Sequence, residues 1–278
     1  MPGRNQMSRL NDQQSLGAFS KNINAIFVIA YRDFTKLVRD RPRMLISLVF
    51  PLIFIGALGG TFQASLGSKV GFNLLEFVFT GVFAQTLFQS TASGIISLIE
   101  DRENDFSQEI FVSPISRYTI ITGKIVGETI VSFAQIIGVL AFALLVGIHL
   151  TIPAVLGLLA TGFVASLLGG AFGVLVLANL SNQRSANQIF PFLIFPQFFL
   201  SGIFTPLVNL PLPLFILSRI APMTYAVDLI RGVYYWDRPE YKEVVIYNPG
   251  VNLAIIAALF LGMMTIGTLM FVRNERNR

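Results

Sequence analysis

Four polar side chains follow one another at every fourth residue of an otherwise apolar segment, namely Gln85, Gln89, Ser93 and Ser97. Residues four apart lie on the same side of a helix, so a helix here would carry one polar face. Amides and hydroxyls in an apolar surrounding need hydrogen-bond partners. The face therefore either bonds to neighbouring helices or borders a wet, substrate-lined interior, and the sequence leaves both interpretations open.

The segment 100–117 is the most densely charged part of the chain. Its charged residues are Glu100, Asp101, Arg102, Glu103, Asp105, Glu109 and Arg117. Phe106, Ile110 and Phe111 lie between them at helical spacing, so a short helix would present an apolar patch ringed by acids. Such a patch suits docking into a groove on a soluble partner. The alternative is a solvated loop.

Several kinds of catalytic chemistry have no candidate residues in this sequence. No G-x-x-x-x-G-K-[ST] motif is present to bind nucleotide phosphates. There is no cysteine for thiol chemistry, and a single histidine, His149, rules out a two-histidine metal site. No cluster of carboxylates lies within the apolar segments to transfer protons. We therefore predict that the chain is not an enzyme and binds no cofactor itself.

The composition indicates which elements position these residues. Of 278 residues, 54% are apolar and 13% are charged, with a mean hydropathy of +0.68; soluble domains carry about 25% charged residues. Long charge-free runs exceed the roughly 20 residues that cross a bilayer as a helix. They do not alternate as barrel strands do. We predict an all-α polytopic membrane protein with six transmembrane helices at about 44–60, 72–99, 118–148, 153–180, 187–205 and 251–272.

Two further segments have distinctive patterns. Apolar residues recur at helical spacing between Ile23 and Val38, with Arg32, Lys36 and Arg39 on the opposite side, which predicts an amphipathic interfacial helix. Residues 1–18, which precede it, are polar and predicted to be disordered. The segment 206–236 is too apolar for a free loop yet is interrupted by prolines, and it predicts two short helices that form a re-entrant region.

The distribution of basic residues predicts the orientation. Most of the 20 Lys and Arg residues fall in segments that are cytosolic if the N-terminus is cytosolic. Both termini are therefore expected to face the cytosol. The net charge of +5 then indicates topology and a preference for an anionic leaflet of the lipid bilayer. No basic stripe with interleaved aromatics suggests nucleic-acid binding.

With these features in view, the sequence resembles the permease subunit of type 2 ABC exporters, the group that includes the daunorubicin-resistance permeases. The resemblance runs from about Ile26 to the C-terminus. The matching pieces, in order, are Tyr31-Arg32-Asp33, Arg41-Pro42-Arg43, Pro51, Glu100-Asp101-Arg102-Glu103, Ser113-Pro114-Ile115-Ser116-Arg117, Gly123-Lys124, Phe195-Pro196, Ser201-Gly202-Ile203-Phe204-Thr205-Pro206, Leu210-Pro211 and Ala221-Pro222-Met223-Thr224-Tyr225.

The resemblance implies a half-transporter that forms a homodimer or heterodimer and binds two copies of a separate ATPase subunit, which hydrolyses the ATP. Residues 19–278 would be one permease domain. The ATPase-coupling residues would be Glu100, Asp101, Arg102, Glu103, Asp105, Phe106, Glu109 and Ile110. On the interfacial helix, Tyr31, Arg32, Phe34 and Lys36 would also lie near the ATPase. Candidates for the substrate pathway, between the two copies, are Gln85, Gln89, Ser93 and Gln197.

The substrate stays open at this point. A drug-like molecule or a lipid moved out of the cytosol is the expectation, and a lipid-linked glycan or polysaccharide is an alternative. A membrane scaffold that transports nothing is a rival from another class, as is an ion-driven transporter. The membrane is expected to be a bacterial plasma membrane or, alternatively, a plastid membrane.

Overall fold

The computed structural model describes residues 4–99, 117–180, 182–208 and 210–276, and within these ranges every regular element is helical. The helices are α1 (Arg4–Arg39), α2 (Arg41–Ile53), α3 (Gly60–Leu66), α4 (Leu74–Ile96), α5 (Arg117–Leu145), α6 (Ile152–Leu177), α7 (Gln183–Leu200), α8 (Leu212–Ile220), α9 (Pro222–Tyr234), α10 (Tyr241–Val244) and α11 (Pro249–Arg276). A π-helical segment, Phe54–Gly59, joins α2 to α3.

Helix α1 begins at Arg4, so it extends into the stretch 1–18 for which the sequence predicts disorder. Its buried side lies on α5, where glycines let the two backbones approach: a Cβ atom on Gly127 would lie 2.9 Å from the Cα of Ala30. Other apolar residues of α1, such as Phe27 and Tyr31, are exposed. The helix therefore has a second apolar side that α5 does not cover, and its interfacial position stays a prediction.

The first apolar helix is irregular in its middle. Pro51 lies inside α2 and cannot donate the backbone hydrogen bond of an ordinary helical residue. The π-helical segment follows it directly, as expected where the regular i to i−4 pattern is disturbed. The predicted span 44–60 therefore continues as helix as far as Leu66.

Helix α4 lies at the centre of the bundle. Asn73 begins it by accepting hydrogen bonds at its side-chain oxygen from the backbone N–H groups of Leu75 (2.9 Å) and Glu76 (3.2 Å). Most of its side chains are buried, from Phe77 at one end to Ile96 at the other. Helix α6 packs backbone to backbone against it, because Gly169 has no side chain where the carbonyl group of Phe88 lies.

This close contact leads to a stability prediction. In Gly169→Ala the new methyl group would overlap the Phe88 carbonyl oxygen, so α6 and α4 must separate. We expect a loss of about 2 kcal/mol in the free energy of unfolding, as for other overpacked cores. Gly262→Ala on α11 is the matched control, since no described atom lies within 4 Å of its Cβ position. Equal thermal unfolding midpoints of the two variants in mild detergent would contradict the prediction.

Four helical stretches of the described residues are long and apolar enough to cross a membrane: Met44–Leu66, Tyr118–Leu145, Ile152–Leu177 and Tyr241–Phe271. Helices α8 and α9 together would make a fifth, bent by 89° at Ala221. The predicted spans 72–99 and 187–205 are helical as α4 and α7 but are not among the four. Helix α4 carries Glu76, Gln85 and Gln89, which lower its hydropathy while the bundle covers most of its surface.

The bent pair α8–α9 is held by two buried charged side chains. Asp228 accepts hydrogen bonds from the backbone N–H groups of Ile246 (2.8 Å) and Tyr247 (2.9 Å) and from Asn252 Nδ2 (2.8 Å). Arg231 donates to the carbonyl oxygens of Phe77 (3.1 Å) and Ile203 (3.2 Å). Both side chains thus have the partners that buried charges require.

Glu76 lies at the same end of the bundle as the end of α9. The sequence favours a solvated, interfacial position for it. In the structure its Oε2 atom accepts hydrogen bonds from the Tyr234 hydroxyl (3.0 Å) and from Arg238 Nη1 (2.6 Å). Glu76 therefore ties the start of α4 to the segment that follows α9.

Candidate functional site

A cavity of about 900 Å³ lies between α1, α2, α4 and α5; we call it the polar cavity. Its lining residues are Asp33, Lys36, Leu37, Arg39, Asp40, Pro42, Ser47, Phe50, Pro51, Gln85, Thr86, Gln89, Ser90, Ser93, Ser97, Lys124, Glu128, Val131 and Gln135. Its volume is in the range of small-molecule sites in proteins, about 300–1,000 Å³.

The polar face predicted on α4 forms one wall of this cavity. Gln85, Gln89, Ser93 and Ser97 all line it. The hydrogen bonds that two of them donate stay within α4: Gln85 Nε2 donates to Gln89 Oε1 (2.9 Å), and Ser97 Oγ donates to the carbonyl oxygen of Gly94 (2.7 Å). These bonds do not join α4 to its neighbours. The geometry thus favours a cavity lining over bonding between helices.

A buried ionic cluster closes one side of the cavity. Lys124 Nζ lies 2.9 Å from Asp33 Oδ2 and 2.8 Å from Glu128 Oε1. The three side chains are at most 6% exposed. On the outer side of the cluster, Arg32 Nη2 lies 3.1 Å from Asp33 Oδ1. The cluster joins α1 to α5 through two carboxylates that share one ammonium group.

The sequence predicts part of this cluster. The four-residue spacing of Lys124 and Glu128 indicates an ion pair within one helix, and the structure confirms it. The sequence also places the pair near a helix end, where its charges could reach out to water; this contact with water is wrong, because Lys124 is 1% exposed. Sequence analysis missed Asp33 as the third member. The spacing of Asp33 from Ala30 and Leu37 could have revealed it, because it places the carboxylate on the same, buried side of α1.

Helix α4 provides the space for this cluster. Gly94 faces the Glu128 carboxyl group, and a Cβ atom at Gly94 would overlap it. A glycine at this position therefore allows the charged group of α5 to lie directly against the backbone of α4. Among the described residues of the lining, the charged side chains are Lys36, Arg39, Lys124, Asp33, Asp40 and Glu128.

The other residues predicted for the substrate pathway and the interfacial helix do not all lie at the polar cavity. Gln197 of α7 does not line the polar cavity: its Oε1 accepts a hydrogen bond from the backbone N–H of Met223 (3.3 Å), and its Nε2 donates to the Leu193 carbonyl oxygen (3.2 Å). It caps the start of α9.

The four residues predicted on the interfacial helix have different positions. Lys36 lines the cavity, whereas Tyr31 and Phe34 are exposed.

The predicted ATPase-coupling residues lie outside the described residues. They are Glu100, Asp101, Arg102, Glu103, Asp105, Phe106, Glu109 and Ile110. In the part of the chain that the structure describes, no three His, Asp or Glu side chains come together as a metal site. The described residues of the cavity lining offer hydrogen bonds, paired charges and apolar contacts.

The long apolar helices define an integral membrane protein, and buried ionisable side chains among such helices are typical of membrane transport proteins. Residues 24–235 match the model of the ABC-2 type transporter family, and the chain belongs to that family. The matched range runs from within α1 through α9.

Individual relatives agree with this assignment. The putative transport permease ycf38 of Cyanophora paradoxa is 30% identical over 237 residues, which cover 82% of this chain and 81% of the relative. The protein of the same name from Porphyra purpurea is 26% identical over 263 residues, 88% of this chain and 86% of the relative. The probable multidrug ABC transporter permease YbhR of Escherichia coli K12 is 30% identical over 147 residues, 51% of this chain and 39% of the relative.

Proposed function

We propose that this chain is the transmembrane permease subunit of an ATP-binding cassette exporter that moves a hydrophobic or amphipathic molecule, drug-like or lipid, out of the cytosol. The observation that carries the proposal is the family match over residues 24–235. The relative named as a probable multidrug ABC transporter permease supports the drug-like part of it. The resemblance to the daunorubicin-resistance branch points the same way.

The proposed topology has six spans, with both termini in the cytosol. Helices α4 and α7 would be the second and fifth spans, covered by neighbouring helices or by a second copy of the chain where they carry polar residues. The bent pair α8–α9 would be re-entrant, with its buried Asp228 and Arg231 shielded from lipid by α4 and α11. The basic residues near both termini support this orientation in a bacterial plasma membrane or a plastid membrane.

The proposed assembly contains two permeases, identical or different, and two copies of a separate ATPase. The segment 100–117 follows α4 and ends at the first residue of α5, so movement of an ATPase bound there would act directly on both helices. Because α4 and α5 both line the polar cavity, such movement would change its shape. ATP hydrolysis would thus switch the bundle between states open to opposite sides of the membrane.

The test is co-purification of the tagged chain in mild detergent, with an ATPase assay of the bound material. We expect Phe106→Asp to reduce the co-purified ATPase about tenfold or more, because it places a charge in the apolar docking patch; tenfold is about 1.4 kcal/mol of binding. Asn104→Asp is the matched control, since it adds the same charge on the opposite side of the predicted short helix. It should retain the ATPase.

Two results would contradict the proposal. One is recovery of a well-folded dimer without ATPase from cells that contain candidate subunits, which would indicate a scaffold or an ion-driven transporter. The other is equal ATPase binding by Phe106→Asp and the wild-type chain, which would remove the docking role of the segment.

A further inference from the structure

We propose that the first apolar helix contains a hinge between Pro51 and Gly59, and that the residues before it, Met44–Phe50, move against α4 to open and close the polar cavity. We call Met44–Phe50 the α2 arm. The use of this movement rests on the proposed function, since transport requires the cavity to change shape. The movement itself is a property of this chain alone.

The first observation is a break in the helical hydrogen bonds. Pro51 has no backbone N–H, so the Ser47 carbonyl group lacks the donor that an uninterrupted helix would give it. The π-helical segment Phe54–Gly59 follows almost at once. Sharp bends in helices occur at prolines and at π-helical turns, and such turns are frequent at functional sites. Residues 51–59 are therefore the part of this helix that bends most easily.

The second observation is that the α2 arm is loosely held. None of its residues is buried. In the described part of the chain, no hydrogen bond joins the arm to α4 or α5; the Ser47 hydroxyl donates within the arm, to the Met44 carbonyl oxygen. The Leu48 side chain contacts α5 beside Gly138. Segments with few buried contacts open at the lowest cost in free energy.

Beyond the hinge, the helix is fixed to α4. Ile55 and Gly59 of the π-helical segment are buried, and a Cβ atom on Gly59 would lie 3.1 Å from Leu75 Cδ1. In α3, Gln63 Oε1 accepts a hydrogen bond from the backbone N–H of Leu74 (2.7 Å), at the start of α4. The hinge and α3 therefore stay with α4 when the arm moves.

The third observation is that the α2 arm forms part of the wall of the polar cavity. Ser47 and Phe50 line it, as Gln89 of α4 does. The ring of Phe50 lies against Phe54 (4.3 Å between ring centroids) and Phe198 (6.2 Å). Apolar contacts are non-directional, so these rings can shift without leaving a polar group unpaired. Movement of the arm therefore changes the width of the cavity between α2 and α4.

The experiment measures distances within the full chain, without an ATPase, in phosphatidylcholine vesicles. The chain has no cysteine, so two introduced cysteines carry the only spin labels. One pair joins the α2 arm to α6, Ile46→Cys with Phe163→Cys. The other joins α3 to the same position, Thr61→Cys with Phe163→Cys. All three positions are exposed, and an excess of unlabelled chain suppresses distances between copies.

We expect the distance distribution of the arm pair, from double electron–electron resonance, to be about twofold broader than that of the α3 pair, because only the arm lies before the hinge. Pro51→Ala restores the backbone N–H and should narrow the arm distribution. Pro153→Ala is the matched control, because Pro153 lies in the first turn of α6, where a proline does not interrupt helical bonding. It should change neither distribution.

A second readout tests whether the movement opens the cavity. With Gln89→Cys as the single cysteine, we expect Pro51→Ala to slow its modification by a water-soluble methanethiosulfonate in mild detergent about fivefold, because the arm opens less often. Alanine is smaller than proline, so a packing effect alone would speed the reaction instead. Pro153→Ala should leave the rate unchanged.

Equal widths for the two pairs with Pro51 in place would overturn the inference. So would a folded Pro51→Ala chain in which the arm distribution or the modification rate is unchanged. If Pro51→Ala does not fold, as judged by gel filtration, the comparison of the two pairs decides alone. Since neither measurement contains an ATPase, failure here leaves the co-purification test unaffected. A moving arm in a chain that co-purifies no ATPase would contradict only the exporter assignment.

Discussion

Replacing Lys124 with methionine is expected to lower the free energy of unfolding by about 3–5 kcal/mol, as for other buried ion pairs that lose one partner. The variant leaves the Asp33 and Glu128 carboxylates buried without the ammonium group that lies within 2.9 Å of both. Since Asp33 lies on α1 and Glu128 on α5, we expect the contact between these helices to open first. The measurement is the thermal unfolding midpoint of the purified chain in mild detergent.

Two controls separate the loss of this cluster from a general effect of removing a lysine. Lys36→Met removes an exposed cation from the neighbouring turn of α1, and we expect its cost to stay below about 1 kcal/mol. The triple variant Lys124→Met with Asp33→Asn and Glu128→Gln removes all three charges and should recover most of the lost stability. Similar midpoints for Lys124→Met and Lys36→Met would show that the cluster does not stabilise the fold.

Asp228→Ala is expected to destabilise the protein by a similar amount, about 4 kcal/mol, because three buried or partly buried N–H donors lose their acceptor at about 1–3 kcal/mol each. The donors are the backbone N–H groups of Ile246 and Tyr247 and the Asn252 side chain. Asp228→Asn keeps one acceptor oxygen and should lose about half as much. The check is the same thermal midpoint, together with protease cleavage between α9 and α11.

The matched control for this change is Glu243→Ala, which removes an exposed carboxylate from the same segment of the chain. Its effect should stay within about 0.5 kcal/mol. If Asp228→Ala were as stable as Glu243→Ala, the carboxylate would not be what holds the bent pair α8–α9 against the start of α11.

The helices were the most predictable part of the fold. Charge-free runs of bilayer length must satisfy their own backbone hydrogen bonds, and each predicted span is helical in the structure. Pro211, directly before α8, and Pro222, the first residue of α9, likewise predicted two short helices in the segment 206–236. The helix boundaries depend on caps such as Asn73 and differ from the predictions by a few residues at most ends.

The candidate site was predictable only in part. The four-residue spacing of Gln85, Gln89 and Ser93 identifies their shared face, because that relation is local to one helix. The contact of Asp33 with Lys124 depends on how α1 lies on α5, which a helical pattern does not specify. Gln197 was predicted to line the substrate pathway because it is polar. In the structure its side chain caps α9 by accepting a hydrogen bond from the backbone N–H of Met223, which is 26 residues away in the sequence. A helical pattern does not specify this contact either.

The partners of the two buried charges in α9 also set an order of assembly during synthesis. Arg231 bonds to Phe77 and Ile203, which the ribosome makes before it, whereas Asp228 bonds only to groups made after it, the last of them 24 residues later at Asn252. At about 5–20 residues per second, this interval lasts roughly 1–5 s. During this interval, Arg231 can already bond to its partners, whereas the Asp228 carboxylate must still be hydrated because its partners have not yet been made. Completion of this end of the bundle therefore waits for the emergence of α11 from the ribosome.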